Sequence, residues 1–389
     1  PPNVDDDLDA AVGYVDRVRA ACDRRLDDLR GNAELEPEEV AERDRWQELK
    51  SELKWFAEDY RDPESPTTWV VDQPDGEGGA ITIKPMNPER YLKHTVWDRG
   101  QQFALLSATI LNKDAFCANV GLDTDDVALV EVPHTFPVEH RPLYDVTQGK
   151  MTYEHRDETI PAIAETLVRI MAEHPDEKGI VHCHSYAIQE RLLDHLRDFG
   201  VESRLRSHDR DDRDGQLQAW KRNDAPNVFC SVKMEEALDL EGDLARWQVL
   251  CKAPYPNTRD SRVAARLEDG QWGWYYRAAL RTVIQACGRV IRAPDDYGAT
   301  YLADSSLLDL FDRARTDMPD WFEAQVDRME RPDLPEGTVA GALRDTSGSV
   351  SRTRTAGRSA GRSSSQSSGS SSSGSSDPVA DHPLSDVWD

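Results

Sequence analysis

Three side chains in the last third of the sequence are suited to gripping a phosphate group. Residues 283–292 read VIQACGRVIR, so Gln285, Arg289 and Arg292 follow one another at spacings of four and three residues. On an α-helix these spacings bring all three side chains to one face. The planar, permanently charged guanidinium matches phosphate oxygens. The pattern indicates a site for the end of a nucleoside triphosphate, with Gly288 allowing close backbone approach. A surface helix paired with nearby acids is the alternative.

Small hydroxyl residues follow two predicted strands. Ser107 and Thr109 come directly after an apolar run at residues 103–106. Hydroxyls at such a strand end could bond to a neighbouring domain, or they could simply cap a helix. Ser185 follows a predicted strand at residues 180–184 and precedes a helix, so we expect it to be a helix N-cap. Such a hydroxyl, with the first amides of the helix, suits a phosphate.

Acidic and histidine residues give weaker indications. Glu236 and Asp239 follow a predicted strand at residues 228–232, where carboxylates could orient a water molecule or hold an arginine. An ordinary acidic loop is the alternative reading. His182 and His184 alternate along a predicted strand and should face the same side. Companion ligands at the usual zinc spacings are absent, so we predict no metal site.

An alternation of strands and helices is expected to position these residues. Predicted strands lie at residues 103–106, 127–132, 180–184, 228–232, 247–251 and 299–302, and predicted helices at 160–173, 188–199, 216–222 and 273–292. This pattern predicts an α/β fold, a parallel sheet with helices on both faces. Ligands of such sheets gather at the carboxyl ends of the strands. Two long helices near the start predict a helical hairpin, and the Ser/Gly-rich end predicts a disordered tail.

Composition bounds the function classes. The formal net charge is -26, with acids spread along most of the chain. Dense carboxylates of this kind predict a protein adapted to concentrated salt, and they give no support to a basic nucleic-acid groove. The six isolated cysteines and the lack of a signal peptide or a membrane-length apolar run predict a cytoplasmic protein without membrane association. The chain begins Pro1-Pro2 and its first methionine is Met86, so we expect a fragment of a longer gene product.

The order of the motifs resembles the second half of a superfamily 2 helicase, and more narrowly the iron–sulphur DNA helicases of the XPD/DinG type. The later motifs of that family read SAT, a strand ending in serine, EGxDxxG, P-F/Y-P and QxxGRxIR. Here they correspond to residues 107–109, 180–186, 236–242, 253–256 and 285–292, the last being a full match. The resemblance covers roughly residues 80 to 315.

The resemblance implies a domain organisation. Residues 1–62 would be a helical hairpin at the end of an arch-like insert, and residues 63–110 the end of a first RecA-like domain. Residues 111–334 would form the second RecA-like domain, and residues 335–389 the disordered tail. The fold class it implies is a RecA-like parallel sheet with helices on both faces.

The resemblance also assigns roles to the candidate residues. Arg289 and Arg292 would stabilise charge on the triphosphate as arginine fingers. Gln285 would contact the same nucleotide or the facing domain, and Gly288 would lie at the nucleotide. The remaining assignments are nucleotide binding and its coupling to DNA for Glu236 and Asp239, interdomain coupling for Ser107 and Thr109, and DNA contact for Ser185 and Lys233.

The implied function is the C-terminal motor half of an ATP-dependent DNA helicase. It would use ATP and Mg²⁺, move 5′ to 3′ on single-stranded DNA in repair or replication, and work with an upstream half of the same gene product. The sequence also departs from the family. Ala237 stands where glycine is usual, Asp304-Ser305-Ser306 replaces an acidic-arginine ending, and no G-x-x-x-x-G-K-S/T motif or DEAH box occurs.

These departures limit what the chain can do alone. Without the phosphate loop and the DEAH box, we do not expect this chain by itself to hydrolyse ATP. The family's cluster cysteines are also missing, so an iron–sulphur cluster is possible only in the full-length protein. The alternative is a non-catalytic, helicase-like DNA-binding or scaffold module.

Overall fold

The computed structural model describes residues 4–30, 36–64, 68–72, 82–132, 134–232, 240 and 242–336. The first elements in chain order are α1 (Val4–Arg30), α2 (Pro37–Arg61), β1 (Trp69–Asp72), β2 (Thr82–Pro85), α3 (Glu89–Thr95), α4 (Lys113–Val120), β3 (Leu143–Gly149), α5 (Arg156–Glu173), β4 (Gly179–His182) and α6 (Tyr186–Asp198). The later elements are β5 (Leu205–Ser207), α7 (Arg213–Arg222), β6 (Val228–Ser231), β7 (Trp247–Leu250), α8 (Ser261–Glu268), α9 (Trp272–Cys287), β8 (Ala299–Asp304), α10 (Ser306–Arg313) and α11 (Asp320–Asp327).

The described residues fall into two compact units. The first unit draws on residues 1–138, 253–288 and 307–327, and the second on residues 139–252, 289–306 and those from 328 onward. The chain passes from one unit to the other several times, so neither unit is one continuous stretch. The predicted domain limits at residues 62, 110 and 334 stay a prediction, and the predicted tail lies outside the described residues from 337 onward.

The first unit begins with the predicted pair of helices. α1 packs against α2, and Leu8 of α1, Phe56 of α2 and Trp69 of β1 share a buried cluster. α2 begins where the Glu36 backbone N–H donates to the Glu39 carboxylate at 3.0 Å, which satisfies one of the amides that a helix start leaves unbonded. The predicted helical hairpin is therefore confirmed. None of the described helices is both long and apolar enough to cross a lipid bilayer.

The second unit is built on a six-stranded sheet with the strand order β3-β8-β7-β4-β6-β5. Every neighbouring pair in this sheet is parallel. Parallel neighbours need crossover connections, and α5, α6 and α7 lie in the chain between the strands. The predicted parallel sheet is confirmed.

Alternate side chains along the strands cover two different faces of the sheet. On one face Val181, Val249 and Tyr301 pack in a large buried cluster with Leu167 of α5 and Leu192 of α6. A sheet buried by helices in this way is typical of α/β proteins, in which the central strands are apolar throughout.

The other face of the sheet is buried as well. Ile180 of β4 and Phe229 of β6 pack with Trp220 of α7 and with Val290, which follows α9. Helices therefore cover both faces, as the strand–helix alternation predicts. The segment that follows α9 is part of this second face, and that placement decides the geometry of the candidate site.

Two predicted strands are wrong. Residues 103–106 and 127–132 are irregular, and their apolar side chains are exposed, with Leu106 97% and Val130 84% accessible. A strand needs a neighbour to bond its backbone amides and carbonyls, and no strand in the described part of the chain pairs with either segment. Their composition alone favours a strand, but the pairing that would complete it is missing from these residues.

We expect Gly179→Ala to destabilise the second unit. Gly179 pairs directly with Trp247 on the adjacent strand, and a β-carbon at this position would enter the indole ring. Overpacking of this kind costs about 1–3 kcal/mol. Thermal unfolding should show a melting temperature several degrees lower. Gly13→Ala is the matched control, because a methyl group there has space within α1. Equal melting temperatures for Gly179→Ala and the parent chain would contradict the expectation.

Candidate functional site

Helix α9 ends before the two candidate arginines. It ends at Cys287 and Gly288 follows with φ -76° and ψ 1°, so the prediction that Gln285, Arg289 and Arg292 share one helical face is wrong. The cause is the burial of Val290, which packs into the apolar cluster on the sheet. The burial of Val290 in this cluster outweighs the weak local preference for helix, so packing overrides the local helical pattern.

Gln285 is hydrogen-bonded to Thr109, one of the two residues predicted to couple the domains. Its Nε2 donates to Thr109 Oγ1 at 3.0 Å, across 176 residues of sequence and within the first unit. The Thr109 backbone N–H in turn donates to Ser107 Oγ at 3.2 Å. Thr109 is buried. The structure thus brings Ser107, Thr109 and Gln285 together, while their role in coupling stays a prediction.

One buried carboxylate anchors the segment that carries the two arginines. Asp296 Oδ2 accepts from the backbone N–H groups of Arg292 at 3.1 Å and Gly242 at 3.4 Å. Asp296 Oδ1 accepts from Arg246 Nη1 at 2.6 Å and from the Tyr297 N–H at 3.0 Å. Four donors therefore converge on one side chain that is only 7% exposed. The bond to Gly242 ties the arginine segment to the end of the acidic motif.

Close packing holds the same segment from a second side. A β-carbon on Gly298 would collide with the backbone carbonyl of Val290, so only glycine fits at this position. The Gly298 N–H donates to the His140 carbonyl at 2.9 Å, and the next residue, Ala299, bonds to the Arg246 carbonyl at 3.0 Å. The segment between α9 and β8 is therefore fixed at both ends.

Polar side chains cross the sheet beneath this segment. His182 Nε2 lies 3.1 Å from Gln248 Oε1, and Gln248 Nε2 donates to Thr300 Oγ1 at 2.8 Å. All three residues are fully or almost fully buried. Burial lowers the pKa of His182 to about 4; the bond to Gln248 opposes the shift and the positive charge of Arg289 adds to it. His182 is therefore neutral at neutral pH.

The turn after β4 confirms one structural prediction and corrects another. Ser185 is the N-cap of α6, and its side chain accepts from the Ile188 N–H at 3.3 Å. His182 is the last residue of β4, whereas His184 has a left-handed φ of 66°. The two histidines are therefore not same-face positions of one strand as predicted. Among the described residues, no three His, Cys, Asp or Glu side chains are placed to hold a metal ion.

The remaining predicted residues have separate outcomes. Lys233, Glu236 and Asp239 lie outside the described residues. Asp304 is buried and its Oδ1 accepts from the backbone N–H groups of Met151 at 3.1 Å and Ser306 at 2.9 Å. Its carboxylate thus begins α10 and holds the end of β3, which is a structural role.

The first unit also contains a cavity of about 430 Å³ that borders Thr109. Its arginines are held by the protein itself. Arg266 lies over the Trp274 ring at 4.2 Å and its Nε donates to the Met86 carbonyl at 2.8 Å. Arg277 pairs with Asp317 at 3.3 Å. These contacts give the cavity walls a structural role.

The sequence around these residues is similar to that of known helicases. Residues 167–325 match the family described as Helicase C-terminal domain. The ATP-dependent DNA helicase DinG of Photobacterium profundum is 23% identical over 323 residues, which are 77% of this chain and 46% of that protein. Residues 167–325 are therefore similar to a helicase C-terminal domain, and most of the chain is similar to DinG. The resemblance read from the motifs is thereby confirmed.

Two further proteins are similar to parts of this chain. The human regulator of telomere elongation helicase 1 is 35% identical over 114 residues, which are 25% of this chain and 9% of that protein. The solved structure XPD_APO is 16% identical with a TM-score of 0.48, and the likeness covers 72% of this chain and 61% of that one. The chain spans less than half the length of the curated relatives that it matches, 9% of the human regulator of telomere elongation helicase 1 and 46% of DinG.

The residues that match the Helicase C-terminal domain family include most of the candidate residues. Ser185, Gln285, Arg289 and Arg292 all lie within the matched residues 167–325, and so does the anchoring Asp296. Ser107 and Thr109 lie before them. Asp296 was not among the predicted site residues, although it belongs to the DDYG sequence that follows QxxGRxIR. Its burial, and hence its anchoring role, follows only from the folded structure.

We expect Asp296→Asn to destabilise the second unit. Both carboxylate oxygens accept from donors, so an amide NH₂ at either position faces a donor and the ion pair with Arg246 is lost. The expected loss is about 1–3 kcal/mol, measured by urea unfolding. Asp295→Asn is the matched control, since that neighbouring side chain is exposed. Similar unfolding curves for the two variants would refute the anchoring role.

The buried, neutral His182 predicts a loss of stability in mild acid. Its folded pKa of about 4 lies below its ordinary value of 6.5, so below pH 6.5 the unfolded chain binds a proton that the folded chain rejects. Stability attributable to this residue is complete above pH 6.5 and falls as the pH drops toward 4. At pH 5 the loss is on the order of 2 kcal/mol. Unfolding of the parent chain and of His182→Asn at pH 7 and pH 5 measures it, and an equal fall in both chains would contradict it.

Proposed function

We propose that this chain is the C-terminal motor half of an ATP-dependent DNA helicase that moves 5′ to 3′ on single-stranded DNA. The observation that carries the proposal is the anchored arginine segment. Val290 packs against β4 and β6 on the sheet, and Asp296 holds the backbone of Arg292. Burial lowers the pKa of His182, the last residue of β4, and the positive charge of Arg289 adds to that shift. Sheets of this kind bind ligands at the carboxyl ends of their strands. The positive charge of Arg289 reaches His182 at the carboxyl end of β4.

The residues present fit a nucleoside triphosphate. Arg289 is half-buried and Arg292 is exposed, so both can reach a ligand, and guanidinium groups suit phosphate oxygens. ATP supplies the phosphoryl group whose transfer to water drives movement. Arg289 and Arg292 stabilise the charge that develops on that group. Gln285 contacts the nucleotide or transmits its state through the bond to Thr109.

The proposal requires a second half of the protein. The phosphate loop and the acidic box that hold ATP and Mg²⁺ in such motors have no counterpart in this sequence, so an upstream half must supply them. Any iron–sulphur cluster belongs to that half too. Single-stranded DNA, contacted by Ser185 and Lys233, is the proposed substrate. The cytoplasm is the proposed location, and adaptation to concentrated salt is proposed from the charge of -26.

A second candidate function is a non-catalytic, helicase-like DNA-binding or scaffold module. The missing phosphate-loop motif is the observation in its favour. Hydrolysis of ATP by this chain together with its upstream half, with and without single-stranded DNA and across a potassium chloride titration to molar concentration, separates the two functions. Turnover stimulated by DNA supports the motor, and no turnover at any salt concentration supports the scaffold.

We expect Arg289→Ala in the complete polypeptide to lower DNA-stimulated ATP turnover by about 10³-fold or more, the effect typical of an arginine finger. Binding of single-stranded DNA should be nearly unchanged, because the side chain acts on the nucleotide. Arg222→Ala is the matched control, since Arg222 is an exposed arginine at the end of α7. ATP turnover retained in Arg289→Ala would contradict the role of Arg289 as an arginine finger.

A further inference from the structure

One face of the central sheet carries a row of buried polar side chains. His182 of β4, Gln248 of β7 and Thr300 of β8 are each at most 1% exposed. The neighbouring positions on this face hold apolar residues such as Ile180 and Phe229. Buried polar groups are unfavourable unless they are bonded, so a row of them within an apolar face calls for a reason beyond packing.

The hydrogen bonds in this row fix the protonation of the histidine. Gln248 Nε2 donates to Thr300 Oγ1 at 2.8 Å, which leaves Gln248 Oε1 as the acceptor facing His182 Nε2 at 3.1 Å. The proton of the neutral imidazole must therefore be on Nε2, because only a donor suits that oxygen. His182 Nδ1 is then a bare acceptor. Within the described residues nothing donates to it, although it is fully buried.

The segment after α9 covers this part of the sheet. Val290 packs in the same cluster as Ile180, which is two positions before His182 on the same face of β4. Arg289 immediately precedes Val290, and its charge acts on the imidazole of His182. The backbone of this segment is held by Asp296 and by the close approach of Gly298 to Val290. The buried acceptor of His182 and the backbone that carries Arg289 therefore belong to the same side of the sheet.

We propose that His182 is a positioning residue for Arg289, presenting Nδ1 as the acceptor that fixes the direction of the Arg289 guanidinium during ATP hydrolysis. Gln248 and Thr300 keep the proton on Nε2 and so keep Nδ1 available. This inference rests on the proposed function, because it matters only if Arg289 acts on the nucleotide. A guanidinium has several rotatable bonds, and a fixed partner reduces the orientations that it samples.

A pair of substitutions separates the two nitrogens of His182. His182→Asn keeps a side-chain oxygen near the place of Nδ1 and gives up the bond to Gln248. His182→Gln keeps a donor near the place of Nε2 and gives up the acceptor at Nδ1. In the complete polypeptide with single-stranded DNA, we expect His182→Gln to lower kcat for ATP about 10- to 100-fold with little change in KM. We expect His182→Asn to keep kcat within about threefold of the parent.

Further measurements keep the proposal testable if one variant folds poorly. Thermal unfolding of each variant reports folding independently of activity. Thr300→Val removes the bond that fixes the orientation of the Gln248 amide, so the amide can flip and the proton can leave His182 Nε2 for Nδ1. This variant should lower kcat by a smaller factor than His182→Gln. In the Arg289→Ala background, His182→Gln should lower the residual rate no further, because a residue that acts through Arg289 has nothing left to position.

The outcomes separate this inference from the function on which it rests. If Arg289→Ala retains turnover, the proposed function fails and the inference fails with it. If Arg289→Ala is inactive while His182→Gln keeps full kcat, only the inference is overturned. Equal losses in His182→Asn and His182→Gln that follow their melting temperatures also overturn it, since a purely structural histidine would behave in that way.

Discussion

The buried carboxylate of Asp296 is the constraint on which the geometry of the arginine segment depends. It accepts from Arg246 and from the backbone of Arg292, Tyr297 and Gly242. A charged acceptor strengthens each of these bonds relative to a neutral one, and the converging donors keep the carboxylate compensated although it is buried. Because Gly242 and Arg246 come from one stretch of the chain and Arg292 and Tyr297 from another, one side chain fixes the segment after α9 against the start of β7. The arginines then project from a backbone that is held in place rather than from a free loop.

The two faces of the sheet explain why this segment leaves the helix at Cys287. One face is filled by α5 and α6, while the other leaves room beside α7 that Val290 occupies. Burying a valine side chain is worth about 1.5–3 kcal/mol, which exceeds the few tenths that another residue of helix contributes. Tertiary packing therefore ends α9, and Arg289 lies over the sheet instead of continuing the helix.

These competing energies also determine what the sequence could predict. The central strands were predictable because β4, β6 and β7 are short apolar runs bounded by turns. β3 was missed because LYDVTQG mixes polar and apolar residues, and its partners β8 and Glu330 are distant in sequence. Residues 103–106 have strand composition but no strand beside them in the described chain. Local pattern thus predicts elements well where burial and pairing agree with it, and fails where a distant partner decides.

The candidate site divides along the same line. Gln285 and Arg289 could be singled out as candidates from the sequence, because a motif of that kind is local. Asp296 and the His182–Gln248 contact join residues that are far apart in sequence, so only the folded sheet brings them together. The net charge of -26 predicts that the protein works at high ionic strength, where buried and exposed contacts behave differently. At high ionic strength exposed phosphate contacts weaken, while buried hydrogen bonds and ion pairs are screened much less. For the motor proposed above, in the concentrated salt that the charge predicts, buried partners would set the direction of the arginines from beneath and leave only their tips to meet the ligand.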